Sequence, residues 1–348
     1  MCGMKSSSYF RIISFQRVKR AVQILRKEGW AGIKYHFHLV RDKERGKEEN
    51  CRKEYDIYHI REEDYDRFRK ADHPEPIEFK ESREPLVSII IPVYNQAVYT
   101  YYCLKSISKH TECIDYEIIV GDDCSADITL EMEKWARGIG IIHHKENCQF
   151  VKNCNRVSKK ARGKYIVFLN NDTQVQQGWL KALVDVMEKD PNVGLTGAKL
   201  IYPDGLVQEA GGIVWQDAHV LQYGNGRQAG EKELNELREA DYISGAAIML
   251  RRKLWEEIGG FDERFVPAYY EDVDLAFQVR ERGYKVVYQP RAEVVHFEGI
   301  TEMLDERRKM EIEKNREMFL EKWKRTLAKE HFMAKDYPEA VRNMRKYC

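Results

Sequence analysis

Three apolar segments decide the fold of this chain: LVSIIIPVYN (residues 86–95), YEIIVGDD (116–123) and KYIVFLNND (164–172). Continuous runs of β-branched residues predict strands that are buried on both faces, as in a parallel sheet. The intervening segments have the composition of helices: VYTYYCLKSISKH (98–110), ADITLEMEKWARG (126–138) and QFVKNCNRVSKKARG (149–163). Strands that alternate with helices of this length predict an α/β fold with right-handed crossovers and a largely parallel sheet.

The 348 residues exceed the size that one hydrophobic core comfortably fills, so we expect one large domain with extensions. Residues 1–80 form a basic, then densely charged region that we interpret as a helical extension and linker. Residues 85–298 carry the strands and helices of the main domain, with shorter strands and glycine-rich turns after Asn192. Residues 302–348 have the composition of charged helices and predict a C-terminal helical extension, in which we expect Met310, Phe319 and Trp323 to be packing residues.

The amino-terminal region contains a candidate amphipathic helix. Phe15, Val18, Val22 and Leu25 recur at helical spacing, and basic residues surround them. Such a helix either lies on an anionic membrane surface, through residues 9–47, or docks on its own domain, and the sequence leaves both alternatives open.

Composition predicts a cytoplasmic protein. The start lacks the apolar core of a secretory signal, and no stretch is long and apolar enough to span a bilayer. The eight cysteines form no CxxC pair, which fits reduced thiols. The formal net charge of +1 argues against a nucleic-acid partner, and the basic amino-terminal region allows peripheral contact with the inner face of the cell membrane.

Polar residues follow the predicted strands where each strand ends. Asp122 and Asp123 follow one strand, and Asn170-Asn171-Asp172 follow another. Ligands of open α/β sheets bind beyond the carboxyl ends of the strands, so these side chains predict a ligand site. Because the glycine-rich motifs GxGxxG and GxxxxGK[ST] are absent, a diphosphate would need a divalent cation, with Asp172 as its ligand. A single aspartate at a strand end also serves commonly as a turn former or helix cap.

A second group of acids, Glu271, Asp272 and Asp274, opens a predicted helix. Capping of the helix amino terminus would explain one or two of them. His296 closes a predicted strand farther along the chain. A lone histidine is usually structural, but one at a strand end near a carboxylate-rich cleft is a candidate metal ligand.

Several fragments together resemble glycosyltransferase family 2, which has the GT-A fold. The resemblance covers residues 86–298, about three-fifths of the chain. It implies a Rossmann-like nucleotide-binding half joined to a mixed-sheet acceptor half. The fragments, in order, are VSIIIPVYN, IIVGDDCSAD, ARGKYIVFLNNDTQVQQGWL, SGAAIMLRR, GGFDERFVPAYYEDVDLAFQVRERGYKVVYQP and His296.

The resemblance also implies roles for individual residues. Asp272 would be the general base that deprotonates the acceptor hydroxyl, while Asp172 and His296 would bind Mg²⁺ or Mn²⁺. The family's Asp-x-Asp metal motif is Asn-Asn-Asp here, so Asn170 replaces one carboxylate. The donor nucleotide would contact Pro92, Tyr94, Asn95, Asp122, Asp123 and Asn171, and the donor and acceptor pockets would include Trp179, Gly245, Arg251, Gly260 and Glu271.

The implied function is inverting sugar transfer from a nucleotide-diphosphate sugar, with UDP or dTDP as the expected nucleotide. The expected acceptor is a glycan or a lipid-linked glycan in surface polysaccharide synthesis. One alternative is a catalytically silent nucleotide-sugar-binding module, which would lack the base that Asp272 supplies. A nucleotidyltransferase is disfavoured because PVYNQAVY, residues 92–99, contains neither a glycine-rich loop nor a basic residue.

Overall fold

The computed structural model describes residues 53–69, 74–297 and 306–344. By their contacts, the described residues all belong to one compact unit within residues 51–348. The candidate amphipathic helix and the whole of the predicted membrane-contact segment, residues 9–47, lie outside the described residues.

The strands are numbered along the chain. They are β1 (Ile77–Glu78), β2 (Val87–Val93), β3 (Tyr116–Asp122), β4 (Ala136–Arg137), β5 (Gly140–His143), β6 (Tyr165–Leu169), β7 (Thr173–Val175), β8 (Val193–Ile201), β9 (Val207–Glu209), β10 (Gly212–Val214), β11 (Val220–Gln222), β12 (Arg238–Glu239), β13 (Ala247–Arg251) and β14 (Lys285–His296).

The α-helices are numbered in the same way. They are α1 (Glu62–Arg69), α2 (Ala97–His110), α3 (Met132–Trp135), α4 (Gln149–Val157), α5 (Trp179–Lys189), α6 (Arg252–Ile258), α7 (Glu271–Glu281), α8 (Glu306–Glu330) and α9 (Tyr337–Met344). Short 3₁₀ turns cover Ile128–Glu131, Ser158–Lys160, Lys232–Asn235, Glu263–Phe265 and Ala334–Asp336.

Within the described residues, ten strands form the main sheet, in the order β12-β14-β8-β13-β6-β2-β3-β5, with β7 beside β14 and β9 beside β8. Strands β5, β3, β2 and β6 are parallel. Every residue of β2 and β6 is buried, as the apolar sequence runs predict for strands covered on both faces. Strand β13 runs antiparallel to both β6 and β8, so the second half of the sheet is mixed, as predicted.

The predicted helix over residues 126–138 is wrong. This segment forms a 3₁₀ turn, the four-residue helix α3 and the strand β4, which pairs in parallel with β1. Asp127 accepts backbone N–H bonds from Thr129 and Ala97, and these bonds fix a turn where a helix was expected. Pairing with β1 involves residues far away in sequence, so periodicity alone could not reveal it.

The C-terminal helix α8 packs into the main core. Phe319, Trp323 and Leu327 are buried in it, and Phe319 contacts the rings of Tyr270 and Phe277. Phe319 and Trp323 therefore pack as the sequence predicts. Met310, predicted to pack as well, is 71% exposed. Among the described residues, no helix is both long and apolar enough to cross a membrane.

Candidate active site

A cleft of about 810 Å³ lies beside the carboxyl ends of β2 and β6. The carboxyl ends of parallel strands meet at one edge of the sheet, and their polar residues therefore converge there. Nine residues singled out from the sequence line this cleft: Pro92, Tyr94, Asp123, Asn171, Asp172, Gly245, Glu271, Asp272 and His296.

Asp172 and His296 are neighbours on one wall of the cleft. The antiparallel pairing of β14 with β7 places His296 opposite Thr173, directly after Asp172. The Nε2 atom of His296 lies 3.2 Å from Oδ1 of Asp172, and both side chains are largely buried. On the other side of the imidazole, Nδ1 lies 3.0 Å from Oε1 of Gln208. Gln208 thus orients the ring that faces the aspartate.

This pair of donors suits a divalent cation. A carboxylate oxygen and an imidazole nitrogen are ligands that Mn²⁺ accepts, and Mg²⁺ accepts the oxygen. The amide nitrogen of Asn171 donates to the Thr100 hydroxyl at 3.0 Å, which holds the segment before Asp172 in place. Asn170 also lines the cleft, but its amide is neutral where the family motif has a carboxylate.

A second wall carries two carboxyl groups, those of Glu209 and Asp272. The backbone N–H of Ser244 donates to Oε1 of Glu209 at 2.8 Å, and the next N–H, of Gly245, donates to Oδ2 of Asp272 at 2.8 Å. Burial raises the pKa of Asp272, although the N–H bonds from Gly245 and Val273 oppose the rise. Burial, with the nearby charge of Asp272, raises the pKa of Glu209 to about 8. The raised pKa makes the ionised Asp272 carboxylate a stronger proton acceptor than an exposed aspartate.

Strained backbone precedes Asp272. Tyr269 and Tyr270 have φ values of 77° and 71°, a left-handed conformation that costs non-glycine residues energy. Asn315 of α8 stabilises this turn, because its side-chain amide donates to the carbonyl oxygens of Ala268 and Tyr269, each at 2.9 Å. Its amide is 3.3 Å from the carbonyl oxygen of Phe265. The C-terminal extension thus helps to set the entry of the chain into α7.

Asp274 anchors α7 to α8. Its fully buried carboxylate accepts hydrogen bonds from Lys322 Nζ at 2.8 Å and from Trp323 Nε1 at 2.7 Å, both on α8. Gln278, one turn along α7, donates to the same carboxylate at 2.8 Å. Asp274 therefore has a structural role in which its charge is paired across the two helices.

Asp122, Asp123 and Asn95 have much of their hydrogen-bonding capacity occupied. Asp122 is fully buried, and its carboxylate binds the Ser125 N–H at 3.0 Å and His143 Nδ1 at 2.6 Å. The side-chain amide oxygen of Asn95 accepts the N–H of Ala126. Asp122 and Asn95 thus shape the loops after β2 and β3, while Asp123 reaches the cleft itself.

Asp123, His144 and Cys148 bring three potential metal-binding atoms within 4.8 Å of one another. Asp123, however, accepts the N–H groups of Cys148 and Gln149, each at 2.7 Å, at the start of α4. The Cys148 thiol also donates to Asp123, and burial together with this bond raises the pKa of the thiol to about 12. Metal-binding cysteine is a thiolate, so a protonated Cys148 fits a capping network better than a metal site.

Three residues that the resemblance places in the donor and acceptor pockets do not line the cleft: Trp179, Arg251 and Gly260. Trp179 is fully buried, and its indole N–H donates to the Thr111 hydroxyl. Arg251 donates to the Met187 and Val193 carbonyl oxygens, so it satisfies backbone groups at the end of α5 and beyond. These two corrections have one cause. Both side chains complete the packing and hydrogen bonding of α5, which lies away from the cleft.

Gly260 is also set by packing. Its φ is 92°, and a Cβ atom there would come within 2.5 Å of the Asn155 side chain. Glycine is required because the chain turns in a left-handed conformation against Asn155. The side-chain amide of Asn155 donates to the carbonyl oxygen of Phe261 and accepts the Phe261 N–H.

Sequence reasoning missed several residues of the cleft. Glu209 and Gln208 lie on the short strand β9, and Arg307 and Arg308 come from α8. Gln208 and Glu209 could have been found from the sequence, because they are two consecutive polar residues in the otherwise apolar segment LVQEAGG. No comparable signal existed for the arginines, since the sequence around them is charged throughout.

The fold is that of the GT-A glycosyltransferases. The structure of GalNAc-T7 with UDP, GalNAc and Mn²⁺ superposes with a TM-score of 0.53 at 18% identity, covering 75% of this chain and 52% of that one. The mannosyltransferase PcManGT from Pyrobaculum calidifontis, in complex with GDP-Man and Mn²⁺, gives 0.51 at 17% identity, covering 93% and 79%. At such identities the likeness establishes the fold alone.

Residues 88–259 match the sequence model described as Glycosyl transferase family 2, and the chain contains a domain of this family. The O-antigen biosynthesis protein RfbC of Myxococcus xanthus is 29% identical over 234 residues, 64% of this chain and 18% of that protein. An N-acetylglucosaminyl-diphospho-decaprenol L-rhamnosyltransferase of Mycobacterium tuberculosis is 29% identical over 144 residues, 38% of this chain and 46% of that protein. The chain spans less than half the length of both curated relatives.

Proposed function

We propose that this protein is an inverting glycosyltransferase that moves a sugar from a nucleotide-diphosphate sugar to an acceptor hydroxyl. The observation that carries the proposal is the arrangement of one cleft. Asp172 and His296 lie together on one wall as a pair of side chains suited to a metal ion, and Asp272 lies on another with its carboxylate held by backbone N–H groups. The family-2 domain and the GT-A fold agree with this arrangement.

The donor would lie with its diphosphate near Asp172 and His296 and its nucleotide toward Pro92, Tyr94 and Asp123. Tyr94 is 43% exposed, which leaves its ring accessible to a nucleobase. A Mg²⁺ or Mn²⁺ ion bound by Asp172 and His296 would neutralise the charge that develops on the leaving diphosphate. We propose UDP or dTDP as the nucleotide.

Asp272 is the proposed general base. As the acceptor oxygen forms its bond to the anomeric carbon, the bond from that carbon to the diphosphate oxygen breaks, and Asp272 takes the proton of the acceptor hydroxyl. The entering oxygen approaches from the face opposite the leaving group, so a single displacement inverts the anomeric centre. The raised pKa of Asp272 makes it a stronger base than an exposed aspartate.

The relatives suggest a place for the reaction. RfbC is named for O-antigen biosynthesis, and the mycobacterial relative is named for rhamnosyl transfer to a diphospho-decaprenol-linked sugar. We therefore propose a glycan or lipid-linked glycan acceptor in surface polysaccharide synthesis, at the cytoplasmic face of the cell membrane. The basic residues 9–47 would supply peripheral contact. Binding to anionic vesicles that weakens with salt tests this contact, and equal binding to neutral vesicles would contradict it.

The function is tested by donor turnover. Purified chain is incubated with UDP-, dTDP- and GDP-sugars, with and without Mn²⁺, and the released nucleoside diphosphate is measured. We expect turnover of at least one donor that requires the metal and is lost in Asp272→Asn. Binding of a donor without any turnover, in the presence of candidate glycan acceptors, would instead favour the silent binding module.

A further inference from the structure

Glu209 is a buried carboxyl group in the cleft that the proposed mechanism does not use. It ends strand β9, is completely buried and lines the same cleft as Asp272. The N–H groups of the consecutive residues Ser244 and Gly245 hold Glu209 and Asp272 respectively. Because consecutive amides are close in space, the two carboxyl groups lie side by side on one wall.

The two oxygens of Glu209 differ in their surroundings. Oε1 accepts the Ser244 N–H at 2.8 Å. Oε2 is buried and has no hydrogen-bond partner of acceptable geometry among the described residues, although the Tyr242 hydroxyl is near enough to lower the pKa of the carboxyl somewhat. A buried polar atom without a partner is costly, and native proteins seldom keep one without a reason. In a substrate cleft, a bound substrate supplies the missing partner.

We propose that Glu209 binds a hydroxyl group of the acceptor sugar adjacent to the hydroxyl that Asp272 deprotonates. The acceptor is therefore a saccharide with two neighbouring free hydroxyl groups, one for each carboxyl. This inference rests on the proposed function, in which Asp272 faces the acceptor. Glu209 is an acceptor-binding residue: it fixes which hydroxyl reaches the base and takes no proton in the reaction.

The protonation of Glu209 agrees with this role. Burial and the charge of Asp272 raise its pKa to about 8, so near pH 7 the group is largely a neutral carboxylic acid. A neutral carboxylic acid both donates and accepts hydrogen bonds, as a sugar hydroxyl does. A protonated Glu209 also leaves Asp272 as the one base of the pair, since two adjacent carboxylates do not both ionise readily.

The test compares transfer with hydrolysis of the donor. Glu209→Ala and the near-isosteric Glu209→Gln are prepared with the control Glu256→Gln, an exposed residue paired with Arg252. The probes are the donor found by the turnover screen and methyl glycosides of glucose, galactose, rhamnose and N-acetylglucosamine. Transfer to the glycoside and hydrolysis to free sugar are measured together, and circular dichroism checks that each variant is folded.

We expect Glu209→Ala to raise the acceptor KM by about 10- to 100-fold, the loss of one hydrogen bond to a buried carboxyl group. The share of cleaved donor that is hydrolysed to free sugar should rise accordingly, while Glu256→Gln behaves as wild type. A deoxy glycoside that lacks the hydroxyl next to the reacting one should have a higher KM than the complete glycoside with the wild type. With Glu209→Ala the two glycosides should have the same KM, because the residue that binds this hydroxyl is absent.

Three results would overturn the inference. One is an unchanged acceptor KM in Glu209→Ala, and another is an equal fall of transfer and hydrolysis, which would place Glu209 at the donor. The third is a wild type that hydrolyses donor but uses no saccharide in the panel. A wild type that cleaves no donor at all would refute the proposed function itself, which is a separate outcome.

Discussion

The contacts of Asp274 predict how much stability is lost when this residue is replaced. In Asp274→Ala, the buried carboxylate loses its bonds to Lys322, Trp323 and Gln278. Removing one partner of a buried ion pair typically costs about 3–5 kcal/mol, because the other charge is left unpaired. Lys322 keeps a second partner here, since its Nζ atom lies 2.8 Å from Asp262. We therefore expect a loss of about 3 kcal/mol in the free energy of unfolding.

Urea denaturation followed by far-ultraviolet circular dichroism measures this loss. Asp274→Asn keeps the shape and the hydrogen-bonding oxygen but removes the charge, so its loss should be smaller, about 1–2 kcal/mol. The matched control is Asp185→Asn, which removes an exposed pair with Lys181 on α5 and should cost well under about 1 kcal/mol. An Asp274→Ala variant within about 1 kcal/mol of wild type would refute the view that this carboxylate fastens α8 to α7.

Three further predictions concern the cleft. Asp272→Asn should fold and bind donor normally, while its transfer rate falls about 10²- to 10⁴-fold. If Asp272→Asn keeps its turnover and Glu271→Gln loses it, Glu271 is the general base. Asp172→Ala should abolish the Mn²⁺-dependent part of the thermal shift caused by donor, and wild-type transfer that survives EDTA would contradict the metal role. Between pH 5 and 7 the folded chain keeps the Glu209 proton, while the unfolded chain releases it. The free energy of unfolding of the wild type should therefore fall over this range by about 2 kcal/mol more than that of Glu209→Gln. Urea denaturation measures both profiles, and parallel profiles would show that Glu209 ionises normally.

The first half of the fold was predictable from sequence because its strands are buried on both faces. Strands β2 and β6 are continuous apolar runs rich in β-branched residues, a pattern typical of buried parallel strands. Short strands carry no such pattern. The pairing of β4 with β1 depends on residues far apart in sequence, and the two-residue strand β4 was therefore predicted as helix.

The site was partly predictable for a related reason. Strand ends collect ligand-binding residues, and this rule located Asp172. Position alone does not give side-chain orientation. Arg251 fits the family pattern, yet its guanidinium binds carbonyl oxygens near the end of α5. Glu209 was missed because β9 has only three residues, and its place beside Asp272 depends on the backbone amides of Ser244 and Gly245.

In the proposed mechanism, one cleft performs inverting sugar transfer with Asp272 as base. The decisive measurement is the nuclear magnetic resonance spectrum of the product formed from an α-linked nucleotide-diphosphate sugar with Mn²⁺, recorded for wild type and for Asp272→Asn. We expect a β-linked product from wild type and a rate at least about 10²-fold lower from the variant. A product that retains the α configuration, or an Asp272→Asn variant as fast as wild type, would contradict the mechanism.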